Sequence, residues 1–248
     1  NGEYTRITGL EIDAASRAGD RIVGPLSAAW FVVFVLPMLL LTPDVAKTGK
    51  KLGDAVRSGI LSLRNTLRGL RGQRDLARFL VANMVYTDGL VALFAFGGIY
   101  AAGIFGWGTI QIGIFGILIM LMGAFGAYAG GRLDDRVGAK PVIVVSLSLL
   151  LMVGVAMLAL SGPVAFWICG LGLALLGGPT QSAARTLLLR MTGEGKEGVA
   201  FGLYTMTGRA VAFVAPWLFF VFVDIFHTDR AGLAGVLLVV AAGLGRML

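Results

Sequence analysis

Seven stretches of this 248-residue chain are apolar over about 20 residues, the length that an α-helix needs to cross the hydrocarbon core of a bilayer. They lie at residues 22–42, 79–103, 108–130, 142–161, 163–184, 199–223 and 231–248. Hydrophobic residues make up 57% of the chain and charged residues only 14%. The pattern predicts an all-α membrane protein, and it excludes a soluble globular domain, a disordered chain and a coiled coil.

Basic residues are concentrated in alternate connections between these segments. They are Lys47, Lys50, Lys51, Arg57, Arg64, Arg68, Arg71, Arg74 and Arg78 after the first segment, Arg132, Arg136 and Lys140 after the third, and Arg190 and Lys196 after the fifth. The connections at 103–108 and 161–163 contain none. Because loops rich in Lys and Arg stay in the cytoplasm, residues 1–21 are expected to form an external loop and the chain to end inside the cell.

The start of the chain is unusual for a complete membrane protein. The first residue is Asn1, and the first 21 residues lack the basic start, apolar middle and small-residue cleavage site of a signal peptide. An odd number of segments with an external N-terminus and no signal indicates a fragment. We therefore expect an upstream part of the same protein to pack against this chain.

The connection at residues 43–78 has an amphipathic pattern. Apolar residues recur at helical spacing, at Leu52, Val56, Ile60, Leu63, Leu67 and Leu70. A basic face is formed by Arg57, Arg64, Arg68 and Arg71. The pattern predicts a cytoplasmic linker helix that either lies on an anionic inner leaflet or simply joins two helix bundles; the two interpretations are compatible.

Residues for metal, cofactor or hydrolytic chemistry are scarce. One cysteine, Cys169, and one histidine, His227, cannot supply four zinc ligands. Cys169 falls in an apolar run, and His227 lies beside Asp224 and Asp229 in an external connection, where solvation is the simpler interpretation. The sequence also lacks a phosphate-binding loop. We expect no enzymatic activity, no cofactor and no nucleic-acid partner.

The most specific motif lies between the third and fourth segments and reads Gly131-Arg-Leu-Asp-Asp-Arg-Val-Gly-Ala-Lys140. It resembles the G-x-L-x-D-R-x-G-[RK]-[RK] loop signature of the major facilitator superfamily, with alanine at one basic position. The glycines, Gly131 and Gly138, permit a tight turn, and Asp135 can accept a hydrogen bond from a neighbouring arginine. The resemblance implies a cytoplasmic gating loop that includes Gly131, Asp135, Arg136, Gly138 and Lys140.

Other motifs narrow the resemblance. Tyr86-Thr-Asp-Gly89, with threonine where the family has asparagine, and residues 177–185 and 201–209 look like the branch that includes the fungal vacuolar amino-acid effluxers and their bacterial relatives. The resemblance implies that residues 22–42 are the last helix of an N-terminal bundle and that residues 79–248 are the C-terminal six-helix bundle. It also implies proton-coupled secondary transport of a small polar solute, such as an amino acid, by alternating access in a bacterial plasma membrane.

Two charges lie deep within the predicted segments. Asp88 follows Arg78 by ten residues, or about 15 Å of helix, and Arg209 lies at a similar depth in the sixth segment. A charge near the bilayer centre costs at least about 2.5–3.5 kcal/mol on insertion scales. We therefore expect Asp88 and Arg209 to pair, either as a site where a proton or a substrate carboxylate exchanges or as a static contact that sets helix packing.

Further polar residues are expected near that pair. The candidates for lining a solute or proton pathway are Asn83, Tyr86, Tyr204 and Gln181. Each taken alone is better explained by an interhelical hydrogen bond, the common use of polar residues between membrane helices. Arg185 lies close to the cytoplasmic end of the fifth segment, where it either forms a latch with Asp135 or extends towards the membrane surface.

Two alternatives to a complete transporter stay open. One is a membrane scaffold or sensor, which would explain the amphipathic linker but not an acid and an arginine at matched depth. The other is a half-size transporter that pairs with a second chain. The partners expected for a transporter are a small-molecule substrate, the lipid bilayer and the N-terminal bundle.

Overall fold

The computed structural model describes residues 18–43, 53–54, 56–59, 61, 72–193 and 195–248. Residues 1–17 of the external loop predicted for residues 1–21, and most of the linker predicted for residues 43–78, lie outside this description. Residues 18–21 belong to a helix rather than to the predicted loop. The described linker residues 53–54, 56–59 and 61 are helical. Throughout the described ranges the regular structure is helix and no strand occurs, which confirms the predicted all-α fold class.

The chain divides into two units, residues 1–55 and residues 56–248. The first unit contains α1 (Ala18–Leu41), which corresponds to the apolar segment predicted at 22–42. Nearly all its described apolar side chains are exposed within that unit, for example Trp30 at 67% and Phe34 at 62%. A helix that is apolar on all sides is suited to a lipid environment or to packing against further membrane helices.

The second unit is a bundle of seven helices within the described residues. They are α2 (Arg74–Phe105), α3 (Thr109–Val137), α4 (Ala139–Ala159), α5 (Pro163–Met191), α6 (Glu197–Ala210), α7 (Val214–Phe226) and α8 (Asp229–Met247). Because α6 and α7 together form one span, the described residues contain seven candidate membrane spans with α1, as predicted. The short connections make successive spans antiparallel.

One end of the bundle, called the basic end below, is where α2, α4 and α6 begin and where α3, α5 and α8 finish. Several helices extend beyond the predicted apolar segments at this end: α2 begins at Arg74 rather than 79, and α5 continues to Met191 rather than 184. Charged residues do not interrupt a helix once it has left the hydrocarbon core, so hydropathy alone underestimates helix length.

The sixth span is broken, whereas the sequence predicted a continuous segment at 199–223. The chain turns at residues 211–213, and the backbone N–H of Val214 donates to the carbonyl of Val211 at 2.9 Å. Pro216 explains the position of the break. It has no N–H to donate to residue 212, and its ring would clash with that carbonyl in a continuous helix, but it is tolerated in the first turn of α7.

Glycines bring α3 and α5 into close contact. A Cβ atom at Gly130 would lie 2.6 Å from the Cα atom of Pro179, and one at Gly178 would lie 2.6 Å from the backbone nitrogen of Ala127. A similar crossing joins α8 to α2, where a Cβ atom at Gly243 would lie 2.6 Å from the backbone nitrogen of Tyr86. Small residues thus allow backbone-to-backbone packing, as is common between membrane helices.

The motif at residues 131–140 is helix rather than loop. Helix α3 continues through Val137, α4 begins at Ala139, and the turn is confined to Gly138, whose φ of 91° suits glycine. Because the motif is helical, its two acids point in different directions: Asp134 is buried and Asp135 is exposed.

The latch expected between Asp135 and Arg185 is therefore not the one observed. Arg190 Nη1 donates to Asp134 Oδ1 at 2.9 Å, and this pair is the one salt bridge within the described residues. Asp134 follows Gly126 and Gly130 at intervals of four residues, so all three lie on the face of α3 that packs against α5. The contact locks α3 to α5 at the basic end.

We expect Gly130→Ala to destabilise the α3–α5 crossing by about 1–3 kcal/mol, because the added methyl group meets the backbone of Pro179. The measurement is thermal unfolding of the full-length protein in detergent. Gly113→Ala is the matched control on the same helix, since a Cβ atom there meets nothing within 4 Å. Equal melting temperatures for the two variants would contradict the close crossing.

A double-mutant cycle tests the observed latch. Asp134→Asn and Arg190→Gln are expected to be non-additive in unfolding free energy by up to about 1 kcal/mol, because Arg190 is half exposed and its ion pair is screened by solvent. The parallel cycle with Asp135→Asn and Arg185→Gln is expected to show additivity. Coupling in the second cycle but not in the first would show that Asp135 and Arg185 form the latch, as expected from sequence.

Candidate functional site

A cleft of about 540 Å³ opens between α2, α3 and α5. Its α5 wall is formed by residues that share one helical face: Ala174, Gly177, Gly178, Gln181, Ser182 and Arg185. Phe94 of α2 and Ile119 of α3 supply apolar surface opposite them. The cleft therefore has an apolar part, lined by small residues on α5, and a polar part towards the basic end.

The polar part of the cleft contains a cation and several hydrogen-bonding groups. Gln181 and Arg185 are exposed, and the hydroxyl groups of Ser182 and Thr186 lie beside them. A guanidinium next to an amide and two hydroxyls can bind a carboxylate with directional hydrogen bonds. Such a set of groups over an apolar wall is typical of sites for small polar molecules.

Helices α2 and α6 extend this polar region. The Tyr204 hydroxyl of α6 lies close to both Arg185 and Asn83. Asn83 is buried, at 1% exposure, and its Oδ1 accepts a hydrogen bond from Thr87 Oγ1 at 3.4 Å. The structure thus brings together Asn83, Tyr204 and Arg185, which the sequence had placed in two separate sets.

Tyr86 lies next to this group on α2. It is completely buried, and its hydroxyl has no hydrogen-bond partner among the described residues. The hydroxyl of Tyr204 is close enough to interact with it electrostatically. A buried hydroxyl without a partner lowers stability, so Tyr86 is a donor available to a polar molecule or to a small rearrangement of Tyr204.

Asp88 does not pair with Arg209, contrary to the expectation from sequence. Asp88 is buried at 4% exposure, and its Oδ2 accepts a hydrogen bond at 2.7 Å from the backbone N–H of Ala215. Arg209 is exposed near the end of α6. The break after Ala210 is the physical reason: the first turn of α7 has free N–H groups and a partial positive charge, which satisfy the carboxylate in place of the guanidinium.

The remaining residues of the predicted gating set lie at the basic end. Gly131 is half-buried and Gly138 forms the turn, whereas Arg136 and Lys140 are exposed. None of them lines the cleft. Arg185, which the sequence assigned to the gate, belongs to the cleft instead, because it lies on the same helical face of α5 as Gln181.

Sequence reasoning missed two groups of residues. Phe94, Ser182 and Thr186 of the cleft were given no role, although Ser182 lies in the motif at 177–185. The recurrence of small and polar residues along one face of α5 could have revealed Ser182 and Thr186. At the opposite end of the bundle, Arg230 donates to the Tyr100 hydroxyl and to Ser161 Oγ, each at 3.2 Å. These bonds join α8, α2 and the α4–α5 connection.

Comparison with known families gives a match over nearly all of the chain. A family model described as vacuole effluxer Atg22 like matches residues 15–248. The chain is 23% identical over 193 residues to YxiO, an uncharacterized MFS-type transporter of Bacillus subtilis strain 168, covering 78% of this chain and 45% of that protein. It is 24% identical over 251 residues to autophagy-related protein 22 of Pichia angusta, covering 85% of this chain and 44% of that protein. The chain thus spans less than half the length of these relatives.

Solved structures with the same fold include transporters. One is a bacterial homologue of the human drug peptide transporters PepT1 and PepT2, with a TM-score of 0.62 at 16% identity, covering 70% of this chain and 41% of that one. Another is tetrameric PepTSo2, with a TM-score of 0.61 at 16% identity, covering 69% of this chain and 39% of that one. These similarities establish the fold of the bundle.

Two independent comparisons, one of sequence and one of structure, therefore agree with the helical architecture. The family match covers the residues from the start of α1 to the end of α8, and the bundle has the arrangement found in major facilitator transporters. The chain belongs to the family of Atg22-like vacuole effluxers.

Proposed function

We propose that the whole protein moves a small polar solute, an amino acid or a similar zwitterion, across the membrane by alternating access. The observation that carries this proposal is the cleft between α2, α3 and α5, with Arg185 and Gln181 at its polar part and Phe94 in its apolar part. In this proposal Arg185 binds the solute carboxylate, and the apolar wall accommodates a side chain.

Tyr204 and Asn83 orient the binding group. Tyr204 lies close to both Asn83 and Arg185, so a carboxylate that engages the guanidinium alters the polar groups available to Tyr204. The buried Tyr86 hydroxyl is a further donor, without a hydrogen-bond partner among the described residues. The proposal includes an upstream N-terminal bundle in the whole protein, because a transporter binds its solute between two bundles.

Asp88 is proposed to carry the coupled proton. An ionised carboxylate accepts the Ala215 N–H strongly, whereas a protonated carboxyl accepts it weakly, so the protonation of Asp88 changes how firmly α7 is held to α2. Buried acids in membrane helices serve as proton relays in many transporters. The broken sixth span supplies a point where such a change can move a helix.

The orientation follows the distribution of basic residues. We propose that the basic end, with Arg132, Arg136 and Lys140, faces the cytoplasm of a bacterial cell and that α1 begins outside. The Asp134–Arg190 pair would then close the cytoplasmic side of the α3–α5 crossing and serve as the gating contact.

Arg185→Gln is expected to raise the KM for an amino-acid substrate about 10- to 100-fold, because a charge-assisted bond to the carboxylate is lost. The measurement is uptake of a labelled amino-acid mixture by the full-length protein in liposomes. Arg74→Gln is the matched control, since Arg74 is exposed at the start of α2 and outside the cleft.

Arg209→Gln is the competing variant in the same assay. A large rise in KM for Arg209→Gln with an unchanged KM for Arg185→Gln would show that Arg209, and not Arg185, binds the solute carboxylate. If correctly folded and oriented wild-type protein takes up no solute under any gradient, the transport proposal fails and a scaffold or sensor becomes the better interpretation.

Asp88→Asn is expected to abolish accumulation driven by a pH gradient while preserving exchange of labelled for unlabelled solute. The asparagine side chain keeps an oxygen that can accept the Ala215 N–H but does not titrate between neutral and charged forms. Asp224→Asn, at an exposed acid of α7, is the control. Gradient-driven accumulation at the wild-type level in Asp88→Asn would exclude Asp88 as the proton site.

A further inference from the structure

A second cavity, of about 640 Å³, opens at the basic end of the bundle, away from the cleft. Three helices each contribute a cation to it: Arg78 from α2, Lys140 from α4 and Arg246 from α8. Asp75 is the one acidic side chain in its lining within the described residues. The cavity therefore concentrates positive charge from residues that are far apart in the sequence.

The inner surface of this cavity is apolar. Phe79 is 3% exposed and Met247 is 6% exposed, and Leu187 and Met191 of α5 complete the wall beneath the cations. The cations are exposed, whereas the apolar residues are packed into the bundle. A cavity with cations at its opening and apolar residues at its base suits a ligand that has an anionic group attached to a less polar part.

The position of the cavity also constrains its ligand. It lies at the basic end of α4 and α8, which are 21 and 19 residues long. Helices of this length just cross the hydrocarbon core, so their ends are expected at the level of the lipid headgroups. Basic pockets between transmembrane helices at such a surface bind phosphorylated headgroups, because Lys and Arg neutralise the phosphate and few acids oppose it.

We propose that Arg78, Lys140 and Arg246 form a binding site for a phosphate group, supplied either by an anionic phospholipid or by a soluble phosphate. The site is independent of the cleft and of the transport proposal, since the two cavities share no lining residue. Arg78 and Arg246 contribute planar donor pairs to the phosphate oxygens, and Lys140 contributes a point charge.

The first test measures phosphatidylglycerol binding to the full-length protein in detergent by native mass spectrometry, with phosphatidylcholine as the neutral comparison. The triple variant Arg78→Gln/Lys140→Gln/Arg246→Gln is expected to bind phosphatidylglycerol about a hundredfold more weakly, at about fivefold for each cation. Arg74→Gln/Arg132→Gln/Arg136→Gln removes the same charge from exposed residues outside the cavity and is expected to change binding far less.

Asp75→Asn is expected to change phosphatidylglycerol binding in the opposite direction to the triple variant. Removing the acid is expected to tighten phosphatidylglycerol binding by about fivefold, and this readout holds even where the triple variant does not fold. Each single variant of Arg78, Lys140 and Arg246 provides a milder version of the same test.

A second experiment, with inorganic phosphate, identifies the source of the phosphate group. If inorganic phosphate displaces phosphatidylglycerol at millimolar concentration and binds alone by calorimetry, with the same dependence on the three cations, the ligand is a soluble phosphate. If it neither displaces the lipid nor binds, the ligand is the phospholipid headgroup. Equal losses in the two triple variants, or no binding of either probe, would overturn the proposal.

Discussion

Inside a bilayer no water is available to the peptide backbone, so every N–H and C=O group must find a partner within the protein. The continuous helices satisfy this constraint within themselves. The sixth span does not, because Pro216 and the turn at residues 211–213 leave free N–H groups at the start of α7. The buried carboxylate of Asp88 satisfies one of them, that of Ala215, from a neighbouring helix. The broken span and the buried acid thus explain each other.

The same constraint shapes the rest of the bundle. Helices that satisfy their own backbone can approach closely only where side chains are small, and the α3–α5 crossing uses Gly126, Gly130 and Gly178 in this way. The face that carries the α3 glycines ends in Asp134, whose ion pair with Arg190 lies at the basic end. Beside this crossing, the small residues Ala174 and Gly177 of α5 leave room for the cleft. One helix therefore connects the latch to the proposed solute site.

The fold was largely predictable, because hydropathy reports directly on which segments enter lipid. The number of spans and the helical class follow from it. The helix ends differ from prediction where charged turns extend past the hydrocarbon core and where the sixth span is broken at residues 211–213. The candidate site was less predictable. Asp88 was identified as a buried acid, but its partner was not, since no residue type or motif identifies the backbone N–H of Ala215 as the donor to Asp88. The sequence pointed to Asp135 as the acid of the latch, whereas the helical register of α3 buries Asp134 instead and leaves Asp135 exposed.

The amino-acid sequence by itself determined that this chain spans a membrane as helices and that Asp88 lies deep within a span. These properties depend on residue type and local order, which the chain carries without reference to its neighbours. Only the tertiary structure decided that Arg185 rather than Arg209 joins Asn83 and Tyr204, and that Arg78, Lys140 and Arg246 line one cavity. Those groupings depend on the rotation of each helix about its axis, which packing against other helices establishes.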